Sequence, residues 1–316
     1  MTELMSIARR VASAAREGEQ VEAYVAHTRD TEVKVFGGDV ESLSSAEIDG
    51  VGVRVISGGR QGYAWAGSLD PEVVDETLAE ARDNVAFSTP DEHLGLAIPE
   101  DFAGVIVPAL DLWRDEALGV PAEEKVRIAL ELERATKSAD ARVRGVETSR
   151  YGDAFIEAAV ASSTGVEAVA RRTVCSCASF AMAGEGAGTQ TGYGFSVART
   201  PCELDIEYAA SQAAERATRL LGATQPSSRR LPVILDPLVT SSFLGVLSGA
   251  LNGESALKGR SMFAGREGEE VAAPIVTLVD DPTNPDTFGA STHDSEGIPT
   301  RMTELIRGGV LRGFLH

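Results

Sequence analysis

Histidine, cysteine and runs of basic residues are what this sequence has least of. It holds 4 histidines and 3 cysteines in 316 residues, and its Lys and Arg cluster no further than the pairs Arg9-Arg10, Arg171-Arg172 and Arg229-Arg230. Each scarcity excludes something. Cys175, Cys177 and Cys202 are an odd number without CxxC spacing, so neither a disulfide framework nor a zinc knuckle is supported, and reduced packing thiols are expected. The 29 basic side chains face 48 acidic ones, and a net charge of −19 with no basic block to override it disfavours nucleic acid as a partner. Long hydrophobic runs are missing too. The longest uncharged apolar stretch, Pro237 to Gly253, contains four Ser/Thr and three Gly, and it falls short of the ~20 residues that a bilayer span requires. It reads as a buried helix, and no membrane is expected. Met1-Thr2-Glu3-Leu4 lacks the basic lead and apolar core of a secretory signal, so a cytoplasmic location is expected.

What is present is globular: 43% hydrophobic and 24% charged residues, in a length that suits two domains. Leu4, Ile7, Ala8, Val11 and Ala15 form one helical stripe, and Gly18 follows as a stop. From Val21 to Ala66 short alternating runs are broken by Gly37-Gly38 and Gly58-Gly59, the mark of hairpin turns in an antiparallel meander. Asp70-Pro71-Glu72 then opens a second helix that closes near Val85. Residues 88 to 120, with Pro90, Pro99 and Pro108, read as an irregular link. After it the order repeats: a helix from Pro121 to Lys137, an alternating region over 143–198, and a helix from about Glu203 to Leu221. Gly62-Tyr63-Ala64-Trp65 corresponds to Gly192-Tyr193-Gly194-Phe195 at an offset of 130, whereas the first strands, at Val21 and Val143, are offset by 122. The expected fold class is therefore α+β: a domain over 1–225 built from a duplicated unit (helix, antiparallel meander, helix, at about 1–88 and 121–222), followed by a β-rich domain over 230–316. In the latter, Val233-Ile234-Leu235 and Ile275 to Val279 read as strands, and Met302–Ile306 pairs through Gly308-Gly309 with Val310–Leu315. The end at His316 falls inside an arm of that hairpin, so the second domain reads as incomplete.

Residue chemistry by itself shows no catalytic apparatus. His27, His93, His293 and His316 include no pair one helical turn apart, as a hydrolytic metal site would. His293 lies in Thr292-His293-Asp294-Ser295-Glu296-Gly297, where one imidazole and two carboxylates either bind a cation weakly or form a loop salt-bridge cluster. No G-x-S-x-G elbow is present, and Ser241-Ser242 read as helix hydroxyls bonding to backbone carbonyls. Gly184-Glu185-Gly186-Ala187-Gly188 lacks the Lys-Ser/Thr of a phosphate loop and reads as a hairpin tip.

A more specific signal lies in the last third. Leu231-Pro232-Val233-Ile234-Leu235-Asp236-Pro237, Gly259-Arg260-Ser261-Met262-Phe263, Val279-Asp280-Asp281-Pro282, Asp294 to Arg301 and Gly309 to Leu315 occur in an order that resembles the TldD/PmbA family, also called modulator of DNA gyrase. That resemblance implies two branches, one carrying a His-Glu-x-x-x-His helix that binds a peptidase metal and one, PmbA/TldE-like, lacking it. Aligned on Ala250-Leu251-Asn252-Gly253-Glu254, Leu244 and Gly249 fall at the two histidine positions and Gly245 at the glutamate. None of the three can ligate a metal or act as a base, so no catalytic residue and no bound cofactor are expected in this chain. The resemblance implies a non-catalytic subunit whose zinc sits in a TldD-like partner, with unfolded peptide as substrate. The alternative is a stand-alone homodimeric peptide-binding protein. Arg260, Ser261, His293, Asp294, Glu296 and Arg301 are the residues expected near a cleft or a subunit contact, unless they are structural.

Overall fold

A computed structural model describes residues 2–315, so His316, one of the four histidines above, lies outside the described residues. The first half contains α1 (Thr2–Ala12), β1 (Glu19–Phe36), β2 (Asp39–Ser57), β3 (Arg60–Ala66) and α2 (Pro71–Val85). A link with the short helix α3 (Asp115–Leu118) leads to α4 (Ala122–Ala139), β4 (Val143–Ser162), β5 (Glu167–Ala183), β6 (Gln190–Ala198) and α5 (Ile206–Arg219). The six strands form one sheet in the order β3-β2-β1-β4-β5-β6, with β1 and β4 antiparallel at its centre (Glu22 opposite Ser162, Val35 opposite Ser149). Each copy of the unit thus supplies three strands, and the two copies join through their first strands.

The repeat is visible in atoms as well as in order. A Cβ on Gly62 would come 1.9 Å from the Ala81 carbonyl oxygen on α2, and a Cβ on Gly192 would come 2.2 Å from that of Ala213 on α5. Asn84 donates to the Tyr63 carbonyl at 2.9 Å, and Arg216 donates to that of Tyr193 at 2.5 Å. The Gly-Tyr pairs therefore hold the same place in both copies. In the second copy α5 presents Ala209, Ala210, Ala213, Ala214 and Ala217 to the sheet. Such a small face permits close approach, and the strand beneath must then be glycine. Most of the additional residues of the second copy sit in its turns, 163–166 against Gly37-Gly38 and 184–189 against Gly58-Gly59. All four glycines of the first copy's turns have positive φ, between 57° and 86°, as two-residue hairpin loops require.

One face of the sheet is covered. Val21, Ala23 and Val25 of β1 pack with Leu4, Ala8 and Val11 of α1 and Val74 and Leu78 of α2, while Val33 and Val35 of the same strand pack with Ile128 and Leu132 of α4. Strand residues alternate between faces, so these odd positions put α1, α2, α4 and, through Ala209 and Ala210, α5 on one side. Beneath α4 lies a buried ion pair, Lys125 Nζ to Asp153 Oδ2 at 2.6 Å, which also receives the Tyr151 hydroxyl and is completed by Lys125 donating to Thr31 Oγ1. Glu133, buried on α4, accepts from the Gly38 amide at 2.8 Å and so ties the second copy to the first copy's turn.

By contacts the chain divides into two units, Met1–Ala223 with Ser291–Pro299, and Thr224–Ala290 with Thr300–His316. The segment 291–299, placed in the second domain by the sequence reading, therefore belongs to the first unit. Its Gly297, at φ +83°, lies against Val166 and Ala168. The second unit holds α6 (Pro237–Ala250), α7 (Gly253–Leu257), β7 (Leu278–Asp280), β8 (Thr303–Arg307) and β9 (Val310–Leu311), around Leu251, Phe263, Leu305, Ile306 and Leu311.

Several expectations need correcting. The first helix ends at Ala12, before the last stripe residue Ala15 and well before Gly18. Asp70 precedes α2 without a side-chain cap bond; its carbonyl accepts from Val74. The expected helix forms as α6 (Pro237–Ala250), capped by Asp236, but it is not buried: none of its residues is, and Val246 is 77% exposed. Its apolar side chains lie all round it, while the unit's core reaches only Leu247 and Ala250 at its C-terminal end. Val233-Ile234-Leu235 has no strand partner among the described residues, with Ile234 98% exposed, and the strand expected from Ile275 begins only at Leu278.

Candidate functional site

The side of the sheet without helices carries the even positions of β1: Glu22, Tyr24, Ala26. In register, Tyr24 lies opposite Gly52 of β2, and Gly52 lies opposite Trp65 of β3. Two ring-bearing residues are thus separated by a residue with no side chain, at strand spacings that put their Cα atoms about 9–10 Å apart. The resulting pocket encloses about 550 Å³, with Tyr24, Tyr63 and Trp65 as walls and Gly50 and Gly52 in its floor. Gly52 leaves room for the Tyr63 hydroxyl, which a Cβ there would meet at 2.9 Å. Trp65 is 71% exposed, in a chain with 2 tryptophans.

One end of the pocket is charged. Arg54, the next outward-facing residue of β2, donates from Nη2 to Glu22 at 2.9 Å and to Glu296 at 2.7 Å. Its Nε is buried without a hydrogen-bond partner among the described residues. Burial pushes the Glu22 carboxyl above its ordinary value; the Arg54 guanidinium opposes this, and Glu296 and Asp294 add to it. Two carboxylates share one cation, leaving the end acidic.

Glu296 reaches this point on a segment shaped by its own backbone. Asp294 Oδ1 accepts the amides of Glu296 and Ile298, both at 2.9 Å, and the Asp294 amide donates to the Ile298 carbonyl. Asp294 therefore closes the turn that presents Glu296. His293 pairs in a bridge with Pro299 and its Nδ1 lies 3.1 Å from Thr292 Oγ1; burial lowers its pKa, with Asp294 opposing. It does not line the pocket. The cluster is thus an ion pair of Glu296 with an arginine far away in sequence.

In the second unit Ser261 Oγ accepts from the Phe263 amide at 3.0 Å and donates to the Ala250 carbonyl, fastening the chain to the end of α6. Arg260 and Arg301 are exposed. Leu244, Gly245 and Gly249 are exposed on α6, and a Cβ on either glycine would meet nothing within 4 Å. Ser242 donates to the Leu238 carbonyl at 3.1 Å, in the role expected of a helix hydroxyl. Among the described residues no group of three His, Cys, Asp or Glu side chains is placed to hold a metal ion, and no helix is long and apolar enough to cross a membrane.

The sequence matches domain 1 of the PmbA/TldA metallopeptidases over residues 21–85, their central domain over 115–221 and their C-terminal domain over 228–316. The chain belongs to the PmbA/TldD metallopeptidase family. It is 25% identical over 316 residues to metalloprotease PmbA of Escherichia coli O157:H7, covering 100% of this chain and 69% of the relative. With a metalloprotease of Methanothermobacter thermautotrophicus it shares 28% over 299 residues, 92% of this chain and 62% of the relative. The chain thus spans about two thirds of the length of these relatives. TldE from Thermococcus kodakarensis has the same fold, with a TM-score of 0.78 at 22% identity over 100% of this chain and 69% of that one. A Bacteroides thetaiotaomicron protein described as a modulator of DNA gyrase superposes with a TM-score of 0.86 at 23% identity, over 99% and 72%.

Within the PmbA/TldD family, the residues at 244, 245 and 249 do not fit a metal. Leucine and glycine carry no donor atom, and packing does not demand glycine at 245 or 249. Of the residues singled out from the sequence, only Glu296 enters the pocket. Glu22, Tyr24, Gly52, Arg54, Tyr63 and Trp65 were missed. The alternation of β1 and the Gly-Tyr-Ala-Trp run signalled which face each would take, but only the strand pairing brings them together.

Proposed function

We propose that this chain is a non-catalytic, PmbA/TldE-like subunit that acts in the cytoplasm beside a TldD-like partner, which supplies the zinc and the hydrolysis of unfolded peptides. The observation that carries this reading is the trio Leu244, Gly245 and Gly249, which offers neither a ligand nor a base where the motif of the active branch would stand. The exposed apolar surface of α6 supports it, since such surface on a helix is suited to burial against another chain. The chain's share is then to bind and orient: the face of the six-stranded sheet without helices offers a pocket to the side chains of a peptide.

The test is peptidase activity on an unfolded peptide by this chain, by a TldD-like partner and by the mixture, each with and without a chelator. Activity confined to the mixture, or strongly raised in it, and abolished by chelator supports the proposal. Chelator-sensitive cleavage by this chain alone overturns it. Peptide binding without cleavage in any mixture favours the homodimeric binding protein instead.

A further inference from the structure

We propose that the pocket formed by Tyr24, Trp65 and Tyr63, closed at one end by Glu22 and Glu296, is a subsite for a lysine or arginine side chain of a bound peptide. The inference rests on the peptide-binding reading above and adds to it which residue the peptide must carry.

Three features define the occupant. The pocket over Gly50 and Gly52, between Tyr24 on one side and Tyr63 and Trp65 on the other, is lined mainly by apolar groups, so it accepts the hydrocarbon stem of a long side chain. Its walls are aromatic, and a cation near a ring face is attracted by the ring's quadrupole. Its end is acidic, because Glu22 and Glu296 share the one guanidinium of Arg54 through a single nitrogen and the Asp294 carboxylate is also near. Glu22 and Arg54 form the next outward-facing row after Tyr24 and Gly52, about 7 Å along the strands, a reach that a lysine or arginine stem spans. The bound cation then lies against carboxylates that have only a part-share in an ion pair, while the methylenes lie between the rings. A neutral aliphatic side chain fills the slot but leaves the acidic end uncompensated. An acidic side chain is repelled.

The segment 291–299 sets the charge of the subsite. Without Glu296 the end would lose one of the two carboxylates that contact Arg54. Asp294, by closing the turn through the Glu296 and Ile298 amides, is a positioning residue for Glu296.

The experiment measures equilibrium binding of N-acetylated, C-amidated unfolded peptides that differ at one position, lysine against norleucine. Blocked termini remove the competing ammonium of a free N-terminus. The chain is used alone and mixed with a TldD-like partner in the presence of chelator, so that the peptides stay intact, and fluorescence anisotropy reads binding. The lysine peptide is expected to bind about tenfold tighter than the norleucine peptide, the combined worth of a cation–π contact and a charge-assisted contact. Glu296→Gln is expected to erase most of that preference while leaving norleucine binding unchanged, and Trp65→Ala to weaken both peptides. Both positions are solvent-exposed or half-exposed, and circular dichroism confirms folding of each variant. Glu80→Gln, on α2 and so on the opposite side of the sheet, lowers the net negative charge equally and is the control for general electrostatics. Equal binding of the two peptides, or equal effects of Glu296→Gln and Glu80→Gln, overturns the subsite and leaves the peptide-binding reading standing. Absence of binding for both peptides, with and without the partner, overturns both.

Discussion

Gly62→Ala and Gly192→Ala place one methyl group at equivalent points of the two copies, and the structure gives the consequence. The added carbon at 62 would lie 1.9 Å from the Ala81 carbonyl oxygen and 2.6 Å from the Val85 nitrogen; at 192 it would lie 2.2 Å from the Ala213 oxygen and 2.3 Å from the Ala217 nitrogen. These are backbone atoms of helices, so no rotamer change relieves the overlap, and α2 or α5 must lift from the sheet. Overpacking of a well-filled interior costs about 1–3 kcal/mol, sometimes more, and here the upper end applies. At about 2–4 °C per kcal/mol for a unit of this size, a loss of roughly 6–12 °C in the melting midpoint is expected for each. The same change at Gly245 or Gly249 has the opposite sign: nothing lies within 4 Å, and alanine in a helix interior is favoured over glycine by about 0.5–1 kcal/mol. Calorimetry and urea unfolding of the four variants measure both signs. Melting of Gly62→Ala and Gly192→Ala indistinguishable from the parent would refute the helix-on-glycine packing, and with it the atomic equivalence of the two copies.

Other consequences are open to measurement. Lys125→Met leaves Asp153 charged and buried and is expected to cost about 3–5 kcal/mol, while the double variant with Asp153→Leu recovers much of the loss; urea midpoints of the singles and the double decide it. Burial raises the Glu19 carboxyl, but the Arg82 hydrogen bonds, the Arg16 amide and the charges of both arginines together outweigh it and hold it below its ordinary value. The pair therefore adds stability that is present above the unfolded carboxylate range and lost as pH falls through the lower folded value. Glu19→Gln should accordingly flatten the fall in unfolding midpoint below about pH 4.5, and an unchanged slope would refute the pairing. Burial pushes the Cys175 thiol up to about 12 and the Cys177 thiol up to about 11, and Cys202 is exposed. Iodoacetamide at pH 8 should then label Cys202 in the folded chain and all three cysteines only in denaturant, as mass spectrometry reads.

How far the sequence foretold the molecule depended on whether a feature was local. The helix stripes, the Gly-Gly turns and the duplicated order were legible because periodicity and positive φ leave a mark in neighbouring residues. The correspondence of Gly62 with Gly192 was legible for the same reason, although nothing in the sequence said that helix backbones would press on both. The pocket was not legible: Glu22, Arg54 and Glu296 come from three distant stretches, and only strand register and the return of 291–299 to the first unit unite them. The exposed state of α6 and of Ile234 also escaped, because apolar composition reports a tendency to be buried without naming the surface that does it.

The central claim is that this chain carries no peptidase metal. Zinc per polypeptide, measured by mass spectrometry of elements on the purified chain, on a TldD-like partner and on their isolated complex, tests it most directly. No stoichiometric zinc is expected on the chain and one zinc per complex, all of it retained by the partner when the subunits are separated. One zinc bound to this chain alone, resistant to dialysis, would contradict it.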